Sequence, residues 1–233
     1  MKETADWDKL SATMLKIYKS EAVQVRIIQI DVAGNGEQNA GPSMLECFTD
    51  PVYKIATWMG VLMMVFQQLS GINVLIFYSS NIFEDVGKPG PVGVAIVNSA
   101  NLVGAILGGL MLSRYGRKTL IVFWSFIMST FMILMGVAYN KAKNCEGDPY
   151  CPFANLELLF TVGFILCFQF ALGTIPWLYL AEIMTNKGMS AAVVTNQVFT
   201  LIISFSSTFL LEKMSGWVFV MFGFISLLVS TLL

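Results

Sequence analysis

The sequence predicts an all-α integral membrane protein, and three observations support that fold class. First, 56% of the 233 residues are hydrophobic and only 12% are charged, whereas soluble domains usually carry about a quarter charged residues. Second, five stretches are apolar over the roughly 20 residues that an α-helix needs to cross a bilayer. Third, short polar connections join these stretches, so neighbouring helices should run antiparallel.

The predicted spans account for most of the chain after residue 50. They cover residues 55–79, 92–113, 119–139, 156–181 and 190–211, with a sixth span starting at Trp217. This last helix reaches Leu233 without a polar flank, which predicts that the chain is a fragment and that the helix is truncated. Residues 1–50 are mixed polar sequence with weak helical periodicity, and we expect a part-helical cytoplasmic linker there. Residues 51–233 would then form one six-helix unit.

Composition and residue types argue against an enzyme and against a nucleic-acid-binding protein. The net charge is −1 and the chain has no histidine, the commonest physiological general base and metal ligand. No carboxylate lies near the middle of a predicted span, and no nucleophile–base pattern is present, so we predict no cofactor and no metal. Cys145 and Cys151 share a polar loop. They are either unpaired thiols or, if the loop faces an oxidising compartment, a disulfide.

The first predicted span contains the stretch VFQQLSGIN, residues 65–73, which places amides in an apolar run. Unpaired amides in hydrocarbon are costly, so Gln67, Gln68 and Asn73 should face protein or a watery cavity. One interpretation is hydrogen bonding between helices. The other is a ligand site, because a break at Gly71 would bring Gln68 and Asn73 towards one cavity. Amides both donate and accept, as the hydroxyls of a neutral polyhydroxylated ligand do.

A second interrupted span contains FQFALGTIPWLYLAEI, residues 168–183. Gly173 and Pro176 interrupt an otherwise continuous apolar helix. Gln169 precedes the break and Trp177 follows it, and an indole beside an amide suits a sugar ring. For Trp177 alone, packing or a place in the aromatic belt at the membrane interface is the alternative. Two interrupted helices in one six-span unit point to a transport site.

Several motifs in order resemble the sugar porter branch of the major facilitator superfamily. They are QQLSGIN, the aromatic pair Phe77 and Tyr78, then RYGRK, then GTIPWLYLAE. From about Met44 onward the chain resembles the C-terminal half of a glucose-type transporter. The resemblance implies a multi-pass protein, most naturally of the plasma membrane, that moves a hexose-like sugar across the lipid bilayer by alternating access. Its partner would be the missing N-terminal six-helix half.

The resemblance also implies a role for particular residues. Sugar contacts are implied at Gln67, Gln68, Asn73, Asn101, Phe168, Gln169 and Trp177, with Asn98 as the alternative to Asn101. Gating is implied at Tyr78 and at the break residues Gly173 and Pro176. A cytoplasmic charge network is implied at Arg114, Arg117, Lys118 and Glu182.

The chain departs from the family pattern at four positions. Ser113 stands where an acid usually precedes Arg114, Met189 stands where an arginine usually follows Glu182, and Leu201 replaces a common tryptophan. The first two departures should weaken the cytoplasmic charge network. Gln169 occupies a position that is often acidic in glucose carriers, which leaves the choice of sugar open.

The basic residues and the resemblance predict the orientation of the chain. Five Lys and Arg residues flank the spans on the side of Arg114–Lys118 and four on the other, and the basic first segment adds to the former. We therefore expect the loops at 114–118 and 186–188 to be cytoplasmic and the loop at 145–151 to be extracytoplasmic. The alternative functions are a membrane sugar sensor that does not transport, a degenerate paralogue, a half-size carrier that dimerises, and a channel. A channel would require charged or carbonyl-lined constrictions, which this pattern lacks.

Overall fold

A computed structural model describes residues 42–85, 87–145 and 152–232 of the chain. Most of the linker predicted for residues 1–50, and Cys151, lie outside the described residues. The described residues form the α-helices α1 (Met44–Thr49), α2 (Lys54–Leu69), α3 (Ile72–Asp85), α4 (Gly90–Leu112), α5 (Arg117–Lys143), α6 (Pro152–Phe168), α7 (Ile175–Ile183), α8 (Asn186–Met214) and α9 (Trp217–Leu232). A π-helical turn, Gln169–Gly173, joins α6 to α7. The predicted all-α class is confirmed.

Five helical segments among the described residues are long and apolar enough to cross a membrane: Lys54–Asp85, Gly90–Leu112, Arg117–Lys143, Pro152–Ile183 and Asn186–Met214. Helix α9 is a shorter apolar helix. The first segment extends to Asp85, beyond the predicted end at residue 79. Hydropathy marks only the part of a helix that suits hydrocarbon, whereas the helical hydrogen bonds continue into polar residues.

The break predicted at Gly71 is confirmed. Gly71 separates α2 from α3 and has a φ of +79°, a conformation that residues with a β-carbon rarely adopt. A β-carbon there would also lie 2.6 Å from Cε of Met132 and 3.1 Å from Cβ of Phe222. Both the backbone angle and the close approach of α5 and α9 therefore require glycine at the middle of the first span.

The second interruption begins earlier than its glycine and proline suggest. The chain widens into the π-helical turn at Gln169, and α7 starts afterwards with Pro176 in its first turn, where proline is tolerated because its missing N–H has no partner to lose. Single π-helical turns inside α-helices are frequent at functional sites. The irregular backbone therefore spans Gln169 to Thr174, with Pro176 setting the start of α7.

Small residues let the helices of this unit approach closely. At Gly136 of α5, a β-carbon would lie 2.7 Å from the carbonyl oxygen of Gly216 and 2.9 Å from Cγ2 of Val220. The interior between α3, α5, α6 and α9 is filled by large side chains, among them the fully buried Phe83, Phe164, Phe219 and Met132. This core holds the two broken spans in position.

Candidate functional site

The first pair of polar side chains meets across the break at Gly71. The amide nitrogen of Asn73 donates to Oε1 of Gln68, and the same nitrogen lies 3.5 Å from the hydroxyl of Thr200 on α8. Gln68 is buried, whereas Asn73 is only partly buried. The predicted convergence of Gln68 and Asn73 is therefore present in the structure, and α8 adds a hydroxyl to it.

Gln67 makes a different set of contacts from its neighbour. Its Nε2 donates to the carbonyl oxygen of Leu172 at 2.7 Å, and its Oε1 accepts a hydrogen bond from Nδ2 of Asn196 at 2.8 Å. The partners belong to the π-helical turn and to α8, so Gln67 ties both broken spans to a third helix. A buried amide with a bond at each end suits a structural link between helices.

The second polar pair joins the π-helical turn to α4. Nε2 of Gln169 donates to Oδ1 of Asn101, while Asn98, the alternative position, is exposed on α4. Two glycines leave room for Gln169. A β-carbon at Gly173 would overlap the side-chain oxygen Oε1 of Gln169, and one at Gly108 would lie 2.8 Å from its backbone oxygen.

The aromatic residues predicted for the site differ in exposure. Phe168 is only 5% exposed and packs against Phe164, with ring centroids 6.3 Å apart. Trp177, at the start of α7, is 39% exposed. The indole of Trp177 thus presents a free face in this chain, whereas Phe168 belongs to the core beside the site.

Tyr78 connects two helices on one side of the break. Its hydroxyl hydrogen-bonds the hydroxyl of Thr208 and lies 3.3 Å from the carbonyl oxygen of Ser204, both on α8. Tyr78 lies on α3, five residues beyond Asn73. Any movement of α3 about Gly71 would have to break these contacts, in keeping with the gating role that the resemblance implies for Tyr78.

At the other end of the helices, one ion pair of the expected charge network forms. Nη1 of Arg117 lies 2.5 Å from Oε2 of Glu182, and both side chains are 44% exposed. Arg114 and Lys118 are exposed and make no ion pair with any other described residue. The network predicted from four residues is thus a single pair within the described part of the chain.

Removing that pair should change stability little. We expect Arg117→Gln and Glu182→Gln each to lower the free energy of unfolding slightly, with a coupling energy of about 0–1 kcal/mol between them, because exposed ion pairs are well hydrated before they form. The measurement is a double-mutant cycle on thermal unfolding in detergent. A coupling well above that range would mean that the pair is shielded from water in the folded protein.

Two polar residues of the site, Asn196 and Thr200, were not singled out by sequence analysis. Both lie on α8, which begins at Asn186 after Thr185, whose side chain caps the helix by accepting from the N–H of Gly188 at 3.2 Å. A sequence signal for Asn196 was present, since the stretch TNQ at residues 195–197 places polar residues inside a predicted span.

Sequence analysis also missed Glu157. This residue is fully buried near the start of α6, where the Thr161 hydroxyl donates to its Oε1 at 2.9 Å.

Cys145 takes part in a disulfide, and Cys47 and Cys167 are free and buried. Cys151, which the sequence offers as one possible partner, lies outside the described residues. No cluster of three or more Cys, Asp or Glu residues that could hold a metal ion occurs in the described part of the chain.

Together these features define a class of protein: a multi-pass helical membrane protein in which two broken spans bring amides together near the middle of the spans. The family model described as "Sugar (and other) transporter" matches residues 6–232. The chain therefore belongs to this family of membrane transporters, and the predicted membership is confirmed.

Curated relatives are similar over part of the chain. A facilitated trehalose transporter Tret1 of Drosophila grimshawi is 38% identical over 143 residues, which make up 57% of this chain and 14% of that protein. The sugar transporter ERD6-like 6 of Arabidopsis thaliana is 27% identical over 180 residues, which make up 74% of this chain and 37% of that protein. The chain therefore matches less than half the length of each of these relatives.

Solved structures share the fold. The proton:xylose symporter XylE bound to 6-bromo-6-deoxy-D-glucose superposes with a TM-score of 0.68 at 21% identity, covering 95% of this chain and 46% of that one. An inward-open structure of the xylose transporter XylE from E. coli gives a TM-score of 0.60 at 19% identity. The predicted fold, a six-helix unit of the major facilitator superfamily, is confirmed.

Proposed function

We propose that this chain is the C-terminal six-helix half of a sugar carrier that works by alternating access, with a hexose or similar sugar as its substrate. The order of the motifs QQLSGIN, RYGRK and GTIPWLYLAE supports the assignment to the C-terminal half. Membership in the sugar transporter family supports the substrate class, as do the trehalose and sugar transporters named among the relatives. Residues 1–50 would belong to the linker between the halves.

The observation that carries this proposal is the pairing of amides at both breaks. Asn73 bonds Gln68 at the first break, and Gln169 bonds Asn101 beside the second. A hydrogen bond exchanged for another contributes only about 0.5–1.5 kcal/mol net. Sugar hydroxyls, which both donate and accept, can therefore replace these bonds at little cost while the sugar sheds its water.

The residues divide into those that would touch the sugar and those that would hold the site. Gln68, Asn73, Gln169 and Asn101 carry the exchangeable amides, and the half-exposed Trp177 offers a flat apolar face to the ring's C–H groups. Gln67 would position this group through its bonds to Leu172 and Asn196. Phe168 would support Gln169 from the core. No bond of the substrate is made or broken, and binding alone would shift the balance between outward- and inward-open states.

The test is sugar uptake by the chain joined to an N-terminal half from its own gene, expressed in cells that lack sugar transporters. We expect saturable uptake of D-glucose over L-glucose, because fixed amides distinguish the orientation of hydroxyl groups. Tagged protein in the same cells should lie in the plasma membrane. Binding of D-glucose without any flux would instead support a sensor, and absence of both would contradict the proposed function.

A further inference from the structure

A polar cavity lies away from the broken spans, at the end of the unit where α3, α5 and α8 finish. Its volume is about 260 Å³, and its polar lining includes Asn81 and Asp85 of α3, Lys143 of α5 and Glu212 of α8. The loop containing Cys145 follows α5 at this end, so it is the end expected to be extracytoplasmic. The cavity therefore faces the side from which a sugar would enter a cell.

One wall of this outer cavity is held by bonds within the protein. The Tyr139 hydroxyl donates to Oδ2 of Asp85 at 2.5 Å, and Nζ of Lys143 lies 3.3 Å from the same oxygen. Hydrogen bonds to an ionised group are stronger than those between two neutral groups. Asp85 is thus fixed in place and retains a second carboxylate oxygen, Oδ1, for a ligand.

Two other residues of the outer cavity carry polar groups that the protein does not use. Asn81 and Glu212 make no side-chain hydrogen bond or ion pair with any other described residue. The lining therefore combines an amide, a carboxylate and an ammonium group with the hydroxyl of Thr208. Such a mixture of donors and acceptors matches a ring that carries several hydroxyl groups.

The outer cavity also has a suitable size and position for a sugar. Its volume equals about nine waters at roughly 30 Å³ each, which leaves room for one sugar ring. Tyr78 lines this cavity and lies five residues beyond Asn73 on α3, a distance of about 7.5 Å along a helix that rises ~1.5 Å per residue. A sugar leaving the cavity past Tyr78 would arrive beside the amides at the Gly71 break.

We propose that this cavity is an outer sugar subsite, which captures a single sugar ring before it passes Tyr78 to the broken spans. The inference rests on the proposed transport function. Asn81 and Glu212 supply free polar groups for hydroxyls, and Asp85 supplies a fixed acceptor.

The test measures whether sugar shields the outer cavity when the mid-membrane site is disabled. The protein tested is the chain joined to its N-terminal half, with the mid-membrane site disabled by Gln68→Leu and Asn73→Leu. Leu211 lines the cavity, so Leu211→Cys introduces the reporter thiol. Thr208→Cys is a second reporter in case Leu211→Cys does not fold. Glu84→Cys is the control, because Glu84 is exposed at the same end of α3 outside the cavity lining. An impermeant thiol reagent is then applied with D-glucose or with trehalose.

We expect sugar at three times the Kd of the outer subsite to slow labelling of the cavity reporter about fourfold, because labelling scales with the unoccupied fraction. Labelling of Glu84→Cys should not change. Adding Asn81→Leu or Glu212→Leu should abolish most of the protection, whereas Glu84→Leu, the same change as Glu212→Leu but outside the cavity, should preserve it.

Four results would overturn the subsite. Protection present in the parent but lost when the mid-membrane site is disabled would mean that closure of the carrier shields the reporter. Protection by added salt and not by either sugar would mean that the cavity holds a cation. Sugar flux is first measured with the mid-membrane site intact. If the protein shows flux but neither sugar protects the reporter once the site is disabled, the subsite alone is refuted. If it shows neither flux nor protection, the proposed function is refuted together with the subsite.

Discussion

Gly108→Ala is expected to lower the stability of the folded protein by about 1–3 kcal/mol, the usual range for extra volume in a packed interior. The added β-carbon would lie 2.8 Å from the backbone oxygen of Gln169. A flexible side chain could rotate away, but a backbone oxygen in the π-helical turn cannot move without carrying the turn with it. Helix α4 would have to shift outwards, which would separate Asn101 from Gln169 and weaken sugar binding.

The adjacent glycine provides the control for this change. A β-carbon at Gly109 would meet no atom within 4 Å, and alanine is the better helix former by about 0.5–1 kcal/mol. Gly109→Ala should therefore keep or raise the midpoint of thermal unfolding in detergent, while Gly108→Ala lowers it. Equal midpoints for the two variants would show that α4 does not pack against the turn as closely as described.

The neighbouring glutamines of VFQQLSGIN are expected to respond in opposite ways to the same substitution. Gln67→Leu removes the bonds to Leu172 and Asn196 and leaves buried polar atoms without these partners. Each unsatisfied group costs about 1–3 kcal/mol, so the midpoint of thermal unfolding without sugar should fall clearly. Sugar affinity of the protein that remains folded should change little, because Gln67 holds helices together.

Asn73→Leu should show the reverse pattern. Asn73 is only partly buried, and the loss of its bond to a sugar hydroxyl should cost about 0.5–1.5 kcal/mol, which is up to about tenfold in affinity. Gln68→Leu should behave likewise, since the two amides are bonded to each other. Without sugar, Asn73→Leu and Gln68→Leu should each lower the midpoint of thermal unfolding less than Gln67→Leu does.

The two quantities to measure are sugar affinity and the midpoint of thermal unfolding with and without sugar, for all three variants in the protein joined to its N-terminal half. Trp177→Ala serves as the control for affinity, since it removes the exposed indole face without changing any of the amide bonds described. If Asn73→Leu, Gln68→Leu and Trp177→Ala all leave sugar affinity unchanged and lower the midpoint of unfolding, these residues serve helix packing and do not bind sugar.

The local features of the helices were accessible from the sequence because each depends on residues close together in the chain. Hydropathy located the spans, since about 20 consecutive apolar residues suffice to identify one. Gly71 and Pro176 marked the interrupted helices through their own backbone preferences. Helix ends were less accurate, as at Asp85, because polar residues can continue a helix beyond the hydrocarbon.

The sequence by itself therefore determined the fold class, the two broken spans and the presence of amides within them, because composition, periodicity and backbone preference act locally. Only the tertiary structure decided which amides far apart in the chain meet. Gln67 and Asn196 are 129 positions apart, and Gln169 and Asn101 are 68 apart, so no local pattern links them. The pairing of Asn73 with Gln68 follows from the local break at Gly71. The packing of α4, α5 and α8 against the breaks pairs Gln169 with Asn101, turns Gln67 into a link between helices and forms the outer polar cavity.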